Sequence, residues 1–386
     1  MPLGIWLRER DRFVDGKTLR IGIVLPANNK AGPQKLAAIA ALDLCKRGHQ
    51  VHLFIPRLPY YYYFVKLRKE PLRWIRLIRH YITDYLKHRS FSYQEIISDF
   101  ESSESKRLSI INVFRTPSKA QLIGLDALLV MTIAQVAELR NLYPQEKTIY
   151  QIHHPEEIVH GFAELFRWIR RAFRGQIIAI SPWTSRAVSD HIPTPPVVPD
   201  VISTIFWEQR FHNNPGRRSK DILFHFSTGL HKGGDAGKRI LQAVKLLRPH
   251  TMTTVWTRDG IPDGLELPVV QNLSERELMQ QYASHRLLLF PSTLEGFGMP
   301  PVEAMACGCI PIVQAGVGAS DLYAQDGETA LLIDPDIDRT AARIAGVLDH
   351  EADLNRIRES AYRVLDPFDP NGYGARLLEA AGWEIV

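Results

Sequence analysis

Two carboxylates, Glu295 and Glu303, are separated by seven residues in the stretch PSTLEGFGMPPVEAMACGCIPIV, residues 291–313. The pattern reads as the end of an apolar strand, a glycine-containing turn, and a helix beginning near Pro300. Gly296 and Gly298 let backbone approach a ligand closely, and a helix starting there turns the positive end of its dipole towards an anion. Pro300 and Pro301 have no N–H, so the free donors of that tip come from Gly298, Met299, Val302 and Glu303. Glu295 falls on the loop at the strand's C-terminal edge and Glu303 in the first helical turn; in an open α/β sheet that edge is where ligands bind. A purely structural reading also exists, with an early-helix Glu complementing the dipole and glycines serving the turn.

Other side chains fall at corresponding places. HKGGD, residues 231–235, sets Lys232 between a strand and a helix, where an ammonium group suits a phosphate. Arg258 ends the following strand in VWTRDG. TIYQIHHPEE puts His153 and His154 at a strand end. The turn-rich ANNKAG, whose one glycine is Gly32, follows the first strand.

The elements that must position these residues alternate along the whole chain. LRIGIVLP, PQKLAAIAALDLCKR and VHLFIP form a βαβ unit over 18–56, with Pro33 suited to the first helical turn and Gly48 to the stop. Apolar runs at 109–114, 126–132, 148–153 and 176–181 continue it, which predicts a mostly parallel sheet covered on both faces. Between Pro193 and Asp221 the chain turns proline-rich and polar. A second alternating series follows: DILFHFS, a helix over Gly234–Leu247, TMTTVWT, a helix from Glu275 begun by a Ser274–Glu277 capping box, RLLLFPS, the helix near Pro300, CIPIV and ALLID. The expected organisation is an N-terminal Rossmann-like domain over 1–203, a linker over 204–220, a second such domain over 221–366, and a helical segment over 367–386 packing back on the first.

Composition narrows the classes. The chain of 386 residues is 45% hydrophobic and 23% charged, long enough for two cores. It has no apolar run of membrane-spanning or signal-peptide length, which leads to the expectation of a soluble cytoplasmic protein. Cys45, Cys307 and Cys309 read as buried thiols. The net charge of +5 favours acidic partners. Basic residues concentrate between Lys66 and Arg89, interleaved with apolar and aromatic ones in a stretch starting at Tyr60, the pattern of a basic amphipathic helix. It suits an anionic membrane surface over 60–90 or ordinary packing on the first domain; no nucleic-acid motif accompanies it, so no nucleic-acid partner is expected. The acidic DPDID (334–338) follows a strand and starts a helix, so no metal is expected there, and AGVGAS has only a fragment of a dinucleotide fingerprint.

The EGFGMPPVEAMACG segment resembles the donor-site signature of retaining GT-B glycosyltransferases, specifically glycosyltransferase family 4. The likeness continues through ELMQQYASHRLLLFPS before it and IPIVQAGVGASDLYAQDGETALLIDP after it, and takes in the Lys-Gly element of HKGGD. The resemblance implies two Rossmann-like domains facing across a cleft and metal-independent transfer of a sugar from a UDP-, GDP- or dTDP-sugar, without a further cofactor, onto a glycan or lipid-linked hydroxyl. It implies that Glu295 lies against the transferred sugar and that Glu303 binds the ribose. Backbone amides at Phe297, Gly298 and Met299 would hold sugar hydroxyls and phosphate, with Lys232 on the diphosphate. His153, favoured over His154, would lie beside the reacting sugar, with Gly32 near donor and acceptor. The family often has Arg five residues before the Lys; Ser227 stands there in this chain, and Arg258 is the substitute charge. A nucleotide-sugar epimerase and an inactive sugar-nucleotide-binding subunit are the alternatives.

Overall fold

The computed structural model of the chain describes residues 13–14, 18–27, 32–57, 106–153, 169, 171–210, 218–258, 260 and 266–385. The basic run 66–89, the loop residues 28–31 and His154 lie outside them.

The chain divides into two units, one comprising 1–180, 184–198 and 371–386, the other 181–183 and 199–370. After a two-residue strand β1 (Phe13–Val14), the first unit carries β2 (Arg20–Val24), β3 (Gln50–Pro56), β4 (Leu108–Val113), β5 (Ala127–Val130), β6 (Thr148–Ile152) and β7 (Gln176–Ala179). The last six form one sheet in the order β4-β3-β2-β5-β6-β7, all neighbours parallel. Strands covered on both faces need apolar residues on both, hence continuous runs such as ALLV in β5, where every residue is buried. Val24, Phe54, Leu128, Val130, Tyr150 and Ile152 supply the core, each full burial contributing about 1.5–3 kcal/mol before entropy is counted.

The second unit repeats the plan with β8 (Lys220–Phe226), β9 (Thr253–Thr257), β10 (Val269–Gln271), β11 (His285–Phe290), β12 (Ile310–Val313) and β13 (Leu331–Leu332), ordered β10-β9-β8-β11-β12-β13 and again parallel. Ile222, Phe224, Val255, Leu287, Leu289 and Ile312 form its core. The Ser274 hydroxyl accepts from Glu277 N–H and the Glu277 carboxylate accepts from Ser274 N–H, so the predicted capping box starts the helix Glu275–Ser284.

Three expectations change. Residues 204–209, read as linker, form a helix that buries Phe206 and Trp207 in the second unit, and the chain passes into that unit at Pro199; two large apolar side chains outweigh the polar character of the flanking sequence. Strand β10 goes unread because a three-residue edge strand carries no period. The return to the first unit comes at Asn371. There the helix Tyr373–Ala380 lies against the helix Gly32–Lys46. Asp43 accepts from the N–H groups of Gly372 (2.8 Å) and Ala375 (3.1 Å), serving as a cap for a helix start that lacks a side-chain cap of its own. Strand β14 (Glu384–Ile385) then pairs in parallel with β1.

All three cysteines are buried, and burial pushes the Cys309 thiol up to about 12, which suits inert core thiols.

Candidate functional site

The chemistry-bearing residues of the second unit gather at the C-terminal ends of β8, β11 and β12. After β8 the chain makes a short 3-10 turn, Leu230–Lys232, before the helix Gly234–Leu247. Gly233 joins the two in the left-handed conformation (φ 69°), and a Cβ there would sit 2.1 Å from the Pro291 carbonyl oxygen, so only glycine lets this turn reach the end of β11. The turn is tied down from the same side, since the His231 carbonyl accepts from Thr293 N–H (2.8 Å) and from the Ser292 hydroxyl (3.1 Å).

This apposition delivers Lys232 to Glu295: Nζ lies 2.7 Å from Oε1, with the side chains 27% and 13% exposed. A half-buried ion pair at a strand edge is a pair of charges prepared to exchange partners, because neither member is locked in a dry interior. The turn carrying Glu295 is fixed on two further sides. The Ser181 hydroxyl donates to the Gly296 carbonyl (2.7 Å), and Ala319 N–H donates to the Phe297 carbonyl (2.8 Å). Gly318 (φ 57°) permits the second contact, since a Cβ there would lie 2.3 Å from the Phe297 oxygen. The Phe297 ring is buried edge-on against Phe368, ring centroids 5.8 Å apart. Gly298 is the N-cap of the helix Met299–Ala306. The N–H groups of Phe297, Gly298 and Met299 donate to no acceptor among the described residues, as a turn reserved for an incoming acceptor requires.

Beside this turn lies a cleft of about 200 Å³, open to solvent, with Ser292, Glu295, Gly298, Gln314, Ser320 and Tyr323 in its lining. Burial, and then the Glu295 charge, push the Tyr323 hydroxyl far above its ordinary value. Glu303 is absent from this lining. The residue is 6% exposed, and its carboxylate accepts from the Tyr282 hydroxyl at 3.5 Å. The helix begins at Met299, so Glu303 opens its second turn rather than belonging to the first, and the dipole explanation for its presence weakens accordingly.

Arg258, exposed beyond β9, has its guanidinium carbon 5.6 Å from the centroid of the Trp256 ring. Trp256 in turn packs on His225 at 4.6 Å, and Phe290 meets the same imidazole at 5.2 Å. Burial first, then the Lys232 and Arg258 charges, push His225 down to about 3 although one edge of the residue reaches solvent, so it is neutral at ordinary pH. Ser227 accepts a 3.5 Å hydrogen bond from Gly229 N–H in the same loop.

The first unit places its described candidate residues on two separate elements. His153 follows β6 and is 6% exposed; Gly32 begins the helix Gly32–Lys46, with open space around a notional Cβ. Asp334 and Asp336 accept from backbone N–H groups at the start of the helix Ile337–Leu348, which is the work of a cap. Among the described residues no helix is long and apolar enough to cross a membrane.

Sequence reading misses Ser181, His225 and Tyr282. A histidine inside the apolar strand ILFHF is a signal for the second; the Ser181–Gly296 contact spans 115 residues and leaves no local trace.

Residues 265–364 match the family described as Glycosyl transferases group 1. The MMP alpha-(1->4)-mannosyltransferase of Mycolicibacterium hassiacum is 30% identical over 244 residues, 59% of this chain and 55% of the relative. The D-inositol 3-phosphate glycosyltransferase of Mycolicibacterium smegmatis is 35% identical over 120 residues, 31% of this chain and 26% of the relative. The chain thus spans about half the length, or less, of these relatives. Among solved structures, Anabaena HepE in complex with UDP and glucose superposes with a TM-score of 0.63 at 14% identity, over 94% of this chain and 98% of that one. The likeness gives the fold, GT-B, in agreement with two Rossmann-like parallel sheets.

Proposed function

We propose that this chain, whose residues 265–364 match the family described as Glycosyl transferases group 1, transfers a sugar with retention from a nucleoside-diphosphate sugar to an acceptor hydroxyl. The observation that carries the reading is the Lys232–Glu295 pair at 2.7 Å beside three backbone N–H groups that donate to no acceptor among the described residues. Transfer passes through an oxocarbenium-like state as the diphosphate departs, so the site must supply cationic and N–H partners to the leaving group and negative charge to the sugar. Lys232 and the amides of Phe297, Gly298 and Met299 serve the diphosphate. Glu295, released when phosphate takes Lys232, faces the sugar. Glu303 holds the ribose, and Arg258 adds charge in place of the arginine that Ser227 replaces. His153 and Gly32 are the residues of the first unit assigned to this reaction, His153 contributing to turnover.

The named activities of the mannosyltransferase and inositol-phosphate relatives, and the UDP bound by HepE, support a nucleotide-sugar donor. They do not favour an epimerase. Because these groups meet the diphosphate, the reaction proceeds without a divalent cation and survives chelation by EDTA. The basic run 66–89 supports a role at an anionic membrane and a lipid-linked or glycan acceptor, in keeping with a cytoplasmic enzyme at the membrane's inner face; flotation with phosphatidylglycerol vesicles at low salt tests it.

The decisive experiment is a thermal-shift screen with UDP, GDP, dTDP, ADP and their sugars. A ligand that binds only the folded state raises the melting point. One nucleotide raising Tm in wild type and less in Lys232→Ala is the expected result; no response to any of them overturns the reading.

A further inference from the structure

The side chain of Tyr282 is 0% exposed, near the end of the helix Glu275–Ser284, yet it carries a hydroxyl. A phenylalanine would fill the same volume without a polar atom to satisfy. That hydroxyl donates to Glu303 Oε2 at 3.5 Å, and both groups are buried. The ring has little freedom to leave: Phe206 packs on it at 6.0 Å with an interplanar angle of 57°, and Trp256 meets it edge-on at 6.1 Å and 85°. Its backbone is equally constrained. The Tyr282 carbonyl accepts from His285 N–H and from the Arg218 guanidinium (3.4 Å), while the capping box at Ser274 fixes the other end of the helix. Burial, then the Glu303 charge, push the Tyr282 hydroxyl well above its ordinary value, so it stays a donor at any working pH.

We infer that Tyr282 is a positioning residue that holds the Glu303 carboxylate in the orientation needed to bind the two ribose hydroxyls of the donor nucleotide. This rests on the reading of Glu303 as the ribose ligand. A glutamate has three rotatable bonds, and a vicinal diol is bound best by two carboxylate oxygens held in one plane; anchoring one oxygen to a caged phenol fixes that plane before the ligand arrives. The tyrosine never touches the nucleotide.

The test takes the nucleoside diphosphate that raises Tm most in the thermal-shift screen and compares its ribose form with its 2′,3′-dideoxy analogue by calorimetry on the full chain. Wild type prefers the ribonucleotide. Tyr282→Phe weakens it by about tenfold, the scale of one lost hydrogen bond to a charged group, leaves the dideoxy analogue unchanged, and so loses most of the preference. A general loosening of the fold would weaken both ligands alike. In a Glu303→Ala background Tyr282→Phe has no further effect. If wild type shows no preference for the ribonucleotide over its dideoxy analogue, the ribose role of Glu303 fails and the inference with it. If wild type shows the preference and Tyr282→Phe retains it, Glu303 keeps its role and the inference about Tyr282 alone is overturned.

Discussion

The two units share one strand order and differ in what stands at the sheet edge. In the second unit, Lys232, Glu295 and the 296–298 turn are held together by an ion pair, hydrogen bonds from Ser181 and Ala319, and glycines where any Cβ would clash. In the first, His153 follows β6 and Gly32 opens the helix Gly32–Lys46, and the neighbouring residues 28–31 and His154 lie outside the described ones. The same scaffold thus carries, in the second unit, an edge prebuilt by its own backbone, while the first unit bears its described candidate residues on two separate elements. A ligand common to many enzymes, such as a nucleoside diphosphate, suits the prebuilt edge; partners that differ from enzyme to enzyme suit the other.

If the contrast holds, substitutions at the prebuilt edge separate binding from turnover in a defined way. The largest effect is expected for Glu295→Ala, with kcat falling by roughly 10²–10³ while nucleotide affinity stays within threefold in calorimetry; equal losses in both would place Glu295 in binding alone. Lys232→Ala follows, weakening the nucleoside diphosphate by roughly 10- to 100-fold, the scale of charge-assisted hydrogen bonds. By contrast His153→Ala leaves that affinity unchanged and lowers kcat, and a drop in nucleotide affinity would break the division of labour.

Gly318→Ala should cost about 1–3 kcal/mol of stability, read as a Tm lower by several degrees, together with weaker nucleotide binding, because the added methyl pushes on the Phe297 carbonyl. The smallest effect concerns pH. His225 and His285 are held near 3 and 4, below their ordinary 6.5, chiefly by burial. As pH falls below 6.5 the unfolded chain takes up protons that the folded chain refuses, so stability declines from about pH 6.5 towards 3. His225→Gln makes that decline in Tm shallower; an identical slope would clear His225 of the effect.

What was legible in the sequence follows the same division. The helix Gly234–Leu247, the capping box at Ser274 and the strand–turn–helix around Glu295 are local features, specified by residues within a few positions of each other. The partnership of Lys232 with Glu295 was not legible, because it depends on two loops 63 residues apart meeting where Gly233 allows. Tyr282 reads as one more apolar position of an amphipathic helix until the fold sets Glu303 against its hydroxyl. The helix Thr204–Gln209 was mistaken for linker because prolines and polar residues surround it, and burial of Phe206 and Trp207 is a tertiary fact.

The helix capped by Asp43 has a bearing on how the molecule is made. During synthesis residue 43 emerges 329 and 332 residues ahead of the backbone N–H groups it satisfies, those of Gly372 and Ala375. Every strand of the second sheet has left the ribosome before the first unit receives its closing helix. The amino-terminal half therefore waits for its final piece while the downstream half is free to fold, reversing the usual order of vectorial assembly.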